Sequence, residues 1–591
     1  MTHAIGIDLG TTYSCVIHHG TDGSDTVIET ADGNELTPSV VYFSPTGQVV
    51  VGERAKERLA DDADNVVVGI KRQMGRTFPL EYHGNAYTPE GISGILLRQL
   101  TVDAAAHLGV APDELTAVIT VPAYFGVGER EATLAAATIA GLDCTELLPE
   151  PVAAAYAYGL SEEPNLTSLV FDLGGGTFDV AVVGMHNGAP RVWAVDGDTQ
   201  LGGLDWDKRI EDLLWEQVEQ LDDGDDLRYD DEVMGLVGAA CETLKRRLTT
   251  QDAVTERVYL HGSTLELRVT RAGFEEASTD LMLRTLTTLE RVIASARAMG
   301  SPPIDQVLLV GGSTRMPMVR ETLASRLGLP IKLADPDKAV ARGAAVLAAK
   351  LLAERSGQVP VLLAGSTGPA NRTGVAMRRI TSVLPKSLGI LTHSSAEPLR
   401  EELYVHHFLT ANTPLPITDH EHIVATIVDK QDRARIQIYE QAGARESDLP
   451  ADNRLLLDGE ILGIPERPAG SPIKLRVSVS VDGRITVASQ DGAHPVTLEV
   501  EAFLHGVLDD AEVAAQRSVV AGLRIRRAVR GSYRTRGPEA TESVSCCGIT
   551  RSSRRSRPRT TSPASARNLT VAERGAVPDL RPRWNLHSRC C

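Results

Sequence analysis

Two short segments of this chain carry residue types that bind phosphate, and each repeats the other. Ile7-Asp8-Leu9-Gly10-Thr11-Thr12 returns as Phe171-Asp172-Leu173-Gly174-Gly175-Gly176-Thr177. Glycines lack Cβ atoms, so phosphate oxygens can approach the backbone N–H groups of such turns closely. Thr11, Thr12 and Thr177 add hydroxyl donors. Asp8 and Asp172 supply carboxylates able to hold water on Mg2+, an ion that keeps several waters beside a few carboxylates. One Asp-x-Gly-Thr segment is an ordinary turn; two with matching flanks point to a shared site. A third segment, Val307 to Pro317, reads as a strand, the glycine turn Gly311-Gly312 and a helix start. That sequence suits close approach by a nucleoside, and the Arg315 guanidinium can lie flat on a purine ring.

The elements that must position these residues follow from the apolar pattern. Strand and helix signals alternate from residue 4 to about 350, which predicts an α/β domain over 1–350. Ala117–Val121, Leu169–Phe171 and Gln306–Val310 read as buried strands, and 129–141 and 272–299 as helices. Each Asp-x-Gly-Thr segment lies between two apolar strands, so each is a hairpin turn, and the repeat implies a duplicated lobe. Residues 351–382 are rich in Gly, Ser, Thr and Pro and read as a linker with an insertion. From 383 to 503 the apolar residues alternate, as in Ile436-Gln-Ile438 and Leu475-Arg-Val-Ser-Val-Ser-Val481, with a turn at Asp482-Gly483. That pattern predicts an antiparallel β-domain. A short helical remnant is expected over 504–530. The Arg-, Ser- and Pro-rich stretch 531–591 has no periodicity, and no fold is expected there.

Bulk composition narrows the classes. At 591 residues the chain is too long for one hydrophobic core. The net charge of −18 hides an asymmetry: residues 521–591 hold 16 Arg and 4 acidic residues, a balance of +12, so the first 520 carry −30. An acidic body argues against nucleic acid, whose phosphates need a basic face. No run of about 18 apolar residues predicts a membrane span, and the acid at Asp8 interrupts what a signal peptide needs. A cytoplasmic protein is expected. Cys15, Cys144 and Cys241 read as reduced thiols. The adjacent pairs Cys546-Cys547 and Cys590-Cys591 are spaced too closely for a zinc site.

Further segments run collinearly with the three already named: Gly6-Ile-Asp-Leu-Gly-Thr-Thr-Tyr-Ser-Cys-Val16, Ile70-Lys71-Arg72, Ala117 to Phe125, Glu150-Pro-Val-Ala-Ala-Ala155, Asp172 to Asp179 and Gly197-Asp-Thr-Gln-Leu-Gly-Gly203. Together they resemble the Hsp70 (DnaK-type) chaperone family, with this chain a divergent member. Actin and the sugar kinases share the paired turns but not the whole set. The resemblance implies a two-lobed, actin-like ATPase domain with duplicated ribonuclease-H-like lobes, then a β-sandwich peptide-binding-like domain and a disordered tail. It implies ATP or ADP with Mg2+, and K+ as an optional ion. Lys71, Glu150, Asp172 and Thr177 take catalytic roles, and Asp8 and Asp172 hold Mg2+ through water. Nucleotide contacts fall to Asp8, Gly10, Thr11, Thr12, Tyr13, Gly174, Gly175, Gly176, Thr177, Gly202, Gly203, Glu242, Lys245, Arg246, Thr249, Gly311, Gly312, Ser313, Arg315 and Asp337. Pro122 and Arg130 match a relay that carries nucleotide state outward. By collinear placement, Ile390, His393, Val424, Ile427, Ala434 and Ile436 line the peptide cleft.

The partners implied are unfolded or extended peptide segments, a J-domain co-chaperone and a nucleotide-exchange factor, with no nucleic acid and no membrane. Departures bear on this list. Glu146 stands where the family has an Arg that meets the J-domain, which weakens that partnership. The linker candidates Val361–Ala364 and Ile380–Leu384 do not end in Asp, and Arg484 enters the family's Asp-Gly-Ile-Leu turn at the pocket floor. The lid shrinks to little more than Leu508–Gln516. The leading reading is an ATP-driven peptide-binding chaperone. The alternative is an ATP-dependent switch or scaffold acting on one dedicated partner. A metabolite kinase on the same fold needs a carboxylate base for a substrate hydroxyl, whereas the matched position holds Lys71.

Overall fold

The computed structural model describes residues 2–158, 166–186, 189–220, 227, 230–260, 263–333, 335–356, 381–393, 403–481, 483–491, 497–498, 500–504 and 507–525. The expected linker candidate at 361–364, Asp482 and the tail 531–591 lie outside the described residues.

Each phosphate-type turn closes a hairpin at the heart of a sheet. In the first sheet the strands run in the order Asp143–Pro149, Leu115–Val121, His3–Asp8, Tyr13–His19, Asp25–Val27. His3–Asp8 pairs antiparallel with Tyr13–His19 and parallel with Leu115–Val121. In the second sheet the order is Ala189–Asp198, Phe178–His186, Thr167–Leu173, Gln306–Val310, Ile331–Lys332. Thr167–Leu173 likewise has an antiparallel hairpin partner, Phe178–His186, and a parallel neighbour, Gln306–Val310. The repeat in sequence is thus a repeat in topology. Leu115–Val121, Thr167–Leu173 and Gln306–Val310 are buried along their whole length. Helices cover both faces of such strands, so continuous apolar runs replace alternation.

Helix Ala339–Arg355 joins the two sheets through small residues. Ala341, Ala344, Ala345 and Ala348 are almost fully buried. One apolar cluster unites Val340, Ala344 and Leu347 with Val118 of the first sheet and Val170 and Leu308 of the second. The backbone approaches so closely that a Cβ at Gly343 would sit 1.9 Å from the Ala153 carbonyl oxygen, and one at Gly6 would sit 2.1 Å from Ala345 N. Helix Glu150–Ala157, which begins with Glu150, is held in place by this contact.

Residues beyond 381 form two antiparallel sheets over one core. The first runs Leu403–Leu409, Leu388–His393, Arg433–Gln441, Asn453–Leu462, Val500–Leu504, and the second Ile417–Ala425, Pro472–Val479, Ile485–Asp491, Thr497–Leu498. Ile390, Ile436, Ile438 and Ile461 of one meet Ile473, Leu475, Val477 and Val479 of the other. This part touches the α/β part through a buried ionic group. Arg454 Nη1 lies 2.8 Å from Glu129 Oε1, and Lys386 Nζ lies 3.8 Å from carboxylate oxygens of both Glu129 and Glu440. Val127 N donates to Glu440 Oε1 (3.1 Å) and Val195 N to Asn412 Oδ1 (2.8 Å).

Two details differ from the sequence reading. The last helix spans Asp510–Gly522, inside the expected 504–530 but running past Gln516, because Val519, Val520 and Leu523 add an apolar edge that packs into the core beside helix Pro89–Leu108. Arg98 Nη1 donates to the Val520 carbonyl and Gln516 Nε2 to that of Ala86. Arg484, expected at the floor of a peptide pocket, instead reaches Glu131 with 3.1 Å between Nε and Oε1. An opposite charge on the neighbouring helix draws the guanidinium outward.

Gly343→Ala tests the contact between helices Ala339–Arg355 and Glu150–Ala157. The added methyl meets backbone rather than a side chain that can swing away, so relief requires the two helices to separate. We expect a loss of about 2 kcal/mol or more in urea unfolding; stability within about 0.5 kcal/mol of the parent would contradict this packing.

Candidate functional site

The two glycine turns meet. A Cβ at Gly175 would lie 1.9 Å from Thr12 Oγ1, and one at Gly176 2.5 Å from Thr11 Oγ1. Only glycine tolerates that approach. A Cβ at Gly202 would sit 2.6 Å from Gly176 N, and one at Gly311, whose φ is +80°, 2.4 Å from the Leu173 carbonyl. Thr12 Oγ1 is buried with no hydrogen-bond partner among the described residues. A buried hydroxyl without a partner costs free energy, so this atom marks a place for a ligand oxygen.

An acidic centre lies beside the turns. Lys71, from the single turn Ile70–Gln73, places Nζ 2.6 Å from Glu150 Oε1, and both side chains are buried. Glu150 opens its helix after Pro149 and before Pro151, which fixes the chain direction there. Asp172 and Asp179 face each other as a pair across their hairpin, both buried. Burial, then Glu150, pushes the Asp8 carboxyl up to about 7, with Lys71 and the Thr120 hydroxyl (3.1 Å) pulling it down. Burial, Glu150 and Asp179 hold Asp172 well above the usual carboxylate range. Burial and Glu150 raise Asp179 to about 8. Burial alone would lower the Lys71 ammonium, yet Glu150 and Asp8 carry it above its ordinary value. Among the described residues no three carboxylates or imidazoles converge on one point. A hard cation that retains its waters fits this donor set better than one needing a closed protein cage.

The third segment borders the same place. Ser313 Oγ donates to the Gly174 carbonyl (2.9 Å) and Lys245 Nζ to that of Gly203 (2.8 Å). Lys56 Nζ donates to Tyr13 OH (2.7 Å) and pairs with Glu242. Arg246 lies 3.7 Å from Glu242 and is largely exposed, while Thr249 Oγ1 donates to the Arg246 carbonyl. Arg315 is half-exposed and holds Asp337 at 2.6 Å; a Cβ at Gly312 would lie 3.0 Å from that carboxylate. Gly10 closes the first turn, its carbonyl accepting from Ser39 Oγ (2.8 Å), and Thr177 is buried in the second.

A family model described as Hsp70 protein matches residues 4–81 and 79–521. The chain is 35% identical over 498 residues to the chaperone protein DnaK of Thermotoga neapolitana, covering 82% of this chain and 78% of that one. It is likewise 35% identical over 499 residues to the proteins of the same name from Thermosipho melanesiensis and Thermosipho africanus, covering 83% and 78%. The chain belongs to the Hsp70 family. It is an Hsp70-type chaperone and an ATPase.

The remaining Hsp70 positions divide into those near the centre and those elsewhere. The Pro122 carbonyl accepts from Phe125 N (3.1 Å), and the Phe125 carbonyl accepts from the buried Arg130 Nε (3.0 Å). Arg130 Cδ would lie 3.2 Å from a Cβ on Gly483, so this pair reaches the antiparallel part. In that part Ile390 and Ile436 belong to the buried core, Val424 and Ala434 pack at its margin, Ile427 is exposed, and His393 is half-buried at a strand end. Sequence reasoning missed Lys56, Arg72 and Asp179 as members of the site. Asp179 carried the one available signal, an acid at an inward position of a strand that is otherwise apolar.

Asp179 also yields a pH dependence. Its Oδ1 accepts from Tyr124 N at 2.8 Å. The unfolded carboxyl ionises near its ordinary 3.8 and the folded one near 8, so its contribution to stability is full below about 3.8 and is lost progressively as pH rises to about 8. Asp179→Asn keeps the acceptor and cannot ionise. Without nucleotide or metal, we expect it to match the parent within about 1 kcal/mol near pH 4, where the folded carboxyl is protonated and much of the unfolded one still is. Between pH 4 and 8 it should become the more stable, the gap growing by up to ~1.4 kcal/mol per pH unit and levelling off above about 8. Urea unfolding from pH 4 to 9.5 reads this directly, and a gap that stays flat below pH 8 or reverses would contradict it.

Proposed function

We propose that ATP binds between two lobes of residues 1–350 with its phosphates across the paired turns, and that its hydrolysis drives peptide capture by a β-sandwich at 383–503. The observation that carries this is the meeting of the turns around the Lys71–Glu150 pair, with Thr12 Oγ1 left for a ligand. Gly10, Thr11, Thr12, Tyr13, Gly174, Gly175, Gly176 and Thr177 cradle the phosphates. Gly202, Gly203, Glu242, Lys245, Arg246, Thr249, Gly311, Gly312, Ser313, Arg315 and Asp337 border the adenosine. Asp8 and Asp172 hold Mg2+ through water; bound there, the ion neutralises charge on the phosphates.

Lys71 places its ammonium beside the γ-phosphate, where negative charge has to be held during transfer to water. Glu150 keeps that ammonium in place through its 2.6 Å contact and orients the attacking water. Thr177 contacts the γ-phosphate through its hydroxyl. Pro122 and Arg130 pass the state of the site towards the antiparallel part, in keeping with the Arg130–Gly483 contact. Extended apolar peptides are the clients, captured through backbone hydrogen bonds and an apolar pocket. The place of action is the cytoplasm. A nucleotide-exchange factor and a J-domain co-chaperone are the partners. Glu146, which borders a depression with Thr145, Leu351, Glu354 and Arg355, replaces attraction with repulsion towards the J-domain's acidic residue and weakens that second partnership.

The test is Lys71→Ala in the full chain. Single-turnover ATP hydrolysis should fall at least about 100-fold, because a charge aimed at a transferring phosphoryl group is worth that much. Removing Lys71 leaves Glu150 buried without its partner, so the variant also melts lower. Mg-ATP should nevertheless raise its melting temperature as it does the parent's, since a ligand for the folded state stabilises by mass action. Hydrolysis within about threefold of the parent would reject the assignment of Lys71.

A further inference from the structure

Arg72, the neighbour of Lys71, points the other way and ties the Lys71 turn to the second glycine turn. Its Nε donates to the Gly176 carbonyl at 2.7 Å, and its Nη2 lies 2.5 Å from Asp205 Oδ2. That same Asp205 oxygen accepts from Gly202 N at 2.7 Å, so the guanidinium is joined to the start of helix Gly203–Val218 as well. The side chain is mostly buried.

The contact matters because of what the other carbonyls of the turn do. The Gly174 carbonyl accepts from Gly203 N (2.9 Å) and Ser313 Oγ, and the Gly175 carbonyl accepts from Leu204 N (2.8 Å). All three glycine carbonyls therefore have donors, and Arg72 supplies the third. In a planar trans peptide the C=O and the following N–H point in opposite directions. Pinning the Gly176 carbonyl thus fixes the direction of the Thr177 N–H, and with it the face that the turn presents to a phosphate. The carbonyls of Gly174 and Gly175 are held by the 202–204 and 313 segments. Gly176 alone is held by a side chain from the segment that carries Lys71.

We propose that Arg72 is a positioning residue for the ATPase reaction: it sets the orientation of the Gly176–Thr177 peptide and, through Asp205, its spacing from Lys71. This rests on the assignment of the paired turns to the phosphates. A displacement of about 1 Å at a reacting centre can cost 10²-fold in rate, so loss of the tether acts on the chemical step more than on nucleotide affinity, which the adenosine contacts maintain.

The experiment compares Arg72→Ala, Arg72→Lys and Asp205→Asn with the parent, in the full chain with Mg-ATP. Single-turnover hydrolysis and the dissociation constant for ATP are measured separately. Arg72→Ala should slow hydrolysis by about 10- to 100-fold while the dissociation constant changes by less than about fivefold. Arg72→Lys offers one point donor in place of a fork and should fall between it and the parent. Asp205→Asn leaves the Gly176 contact in place and should lose less than Arg72→Ala. Hydrolysis by Arg72→Ala within twofold of the parent would overturn the proposal. So would a change confined to ATP affinity, or Asp205→Asn being the more severe. If Arg72→Ala does not fold, the order of the other two variants decides. A parent whose melting temperature does not respond to Mg-ATP would refute the assignment of the turns instead, which keeps the two failures distinct.

Discussion

Four carboxylates in one buried place share a single ammonium, and the rest of the molecule is arranged to make that tolerable. Glu150 touches Lys71, and Asp8, Asp172 and Asp179 feel its charge from further off; in such buried surroundings charge costs several kcal/mol for each uncompensated ion. The protein meets part of the cost by holding protons: burial and mutual repulsion keep Asp8, Asp172 and Asp179 above the ordinary carboxylate range. What remains is a site whose electrostatics favour an added cation. Each acid also stands at the end of a different element, so none can move away from the others without moving a strand or a helix start.

That arrangement demands rigid support at close range. Small residues provide it, since the Ala-rich face of helix Ala339–Arg355 brings its backbone against strand His3–Asp8 at Gly6 and against helix Glu150–Ala157 at Gly343. Glycine plays a second part at the turns themselves, where the carbonyls of Gly174, Gly175 and Gly176 face protein donors. The antiparallel part is attached by a different kind of contact, the buried group of Glu129, Glu440, Lys386 and Arg454. Burial and the neighbouring Glu129 raise the Glu440 carboxyl, whereas Lys386 and Arg454 hold Glu129 below its usual range against the effect of burial. Buried ion pairs add little net stability beside apolar packing. Their geometric demands instead favour one particular seating of the two parts.

Much of this was legible in the sequence where the signal is local. A glycine turn between apolar strands announces itself by residue type, and two copies announce a shared site. The strands around them read as continuous apolar runs because both faces are covered. Other features depend on contacts between distant segments. Lys386, Glu440 and Arg454 look like ordinary surface charges until the fold places them against Glu129. Arg72 and Lys56 are likewise charged residues whose partners lie more than a hundred positions away. In the antiparallel part, period-2 alternation identifies inward residues but not whether they face a groove or the core, and Ile390 and Ile436 lie in the core. Arg484 was misjudged for a similar reason, because the carboxylate that captures it belongs to another element.

Closure of both glycine turns on one nucleotide can be read by amide hydrogen exchange on the full chain with and without Mg-ADP. If the two turns hold the same phosphates, the amides of 10–13 and of 174–177 slow together on adding nucleotide. Slowing in one turn while the other exchanges as before would contradict a shared site.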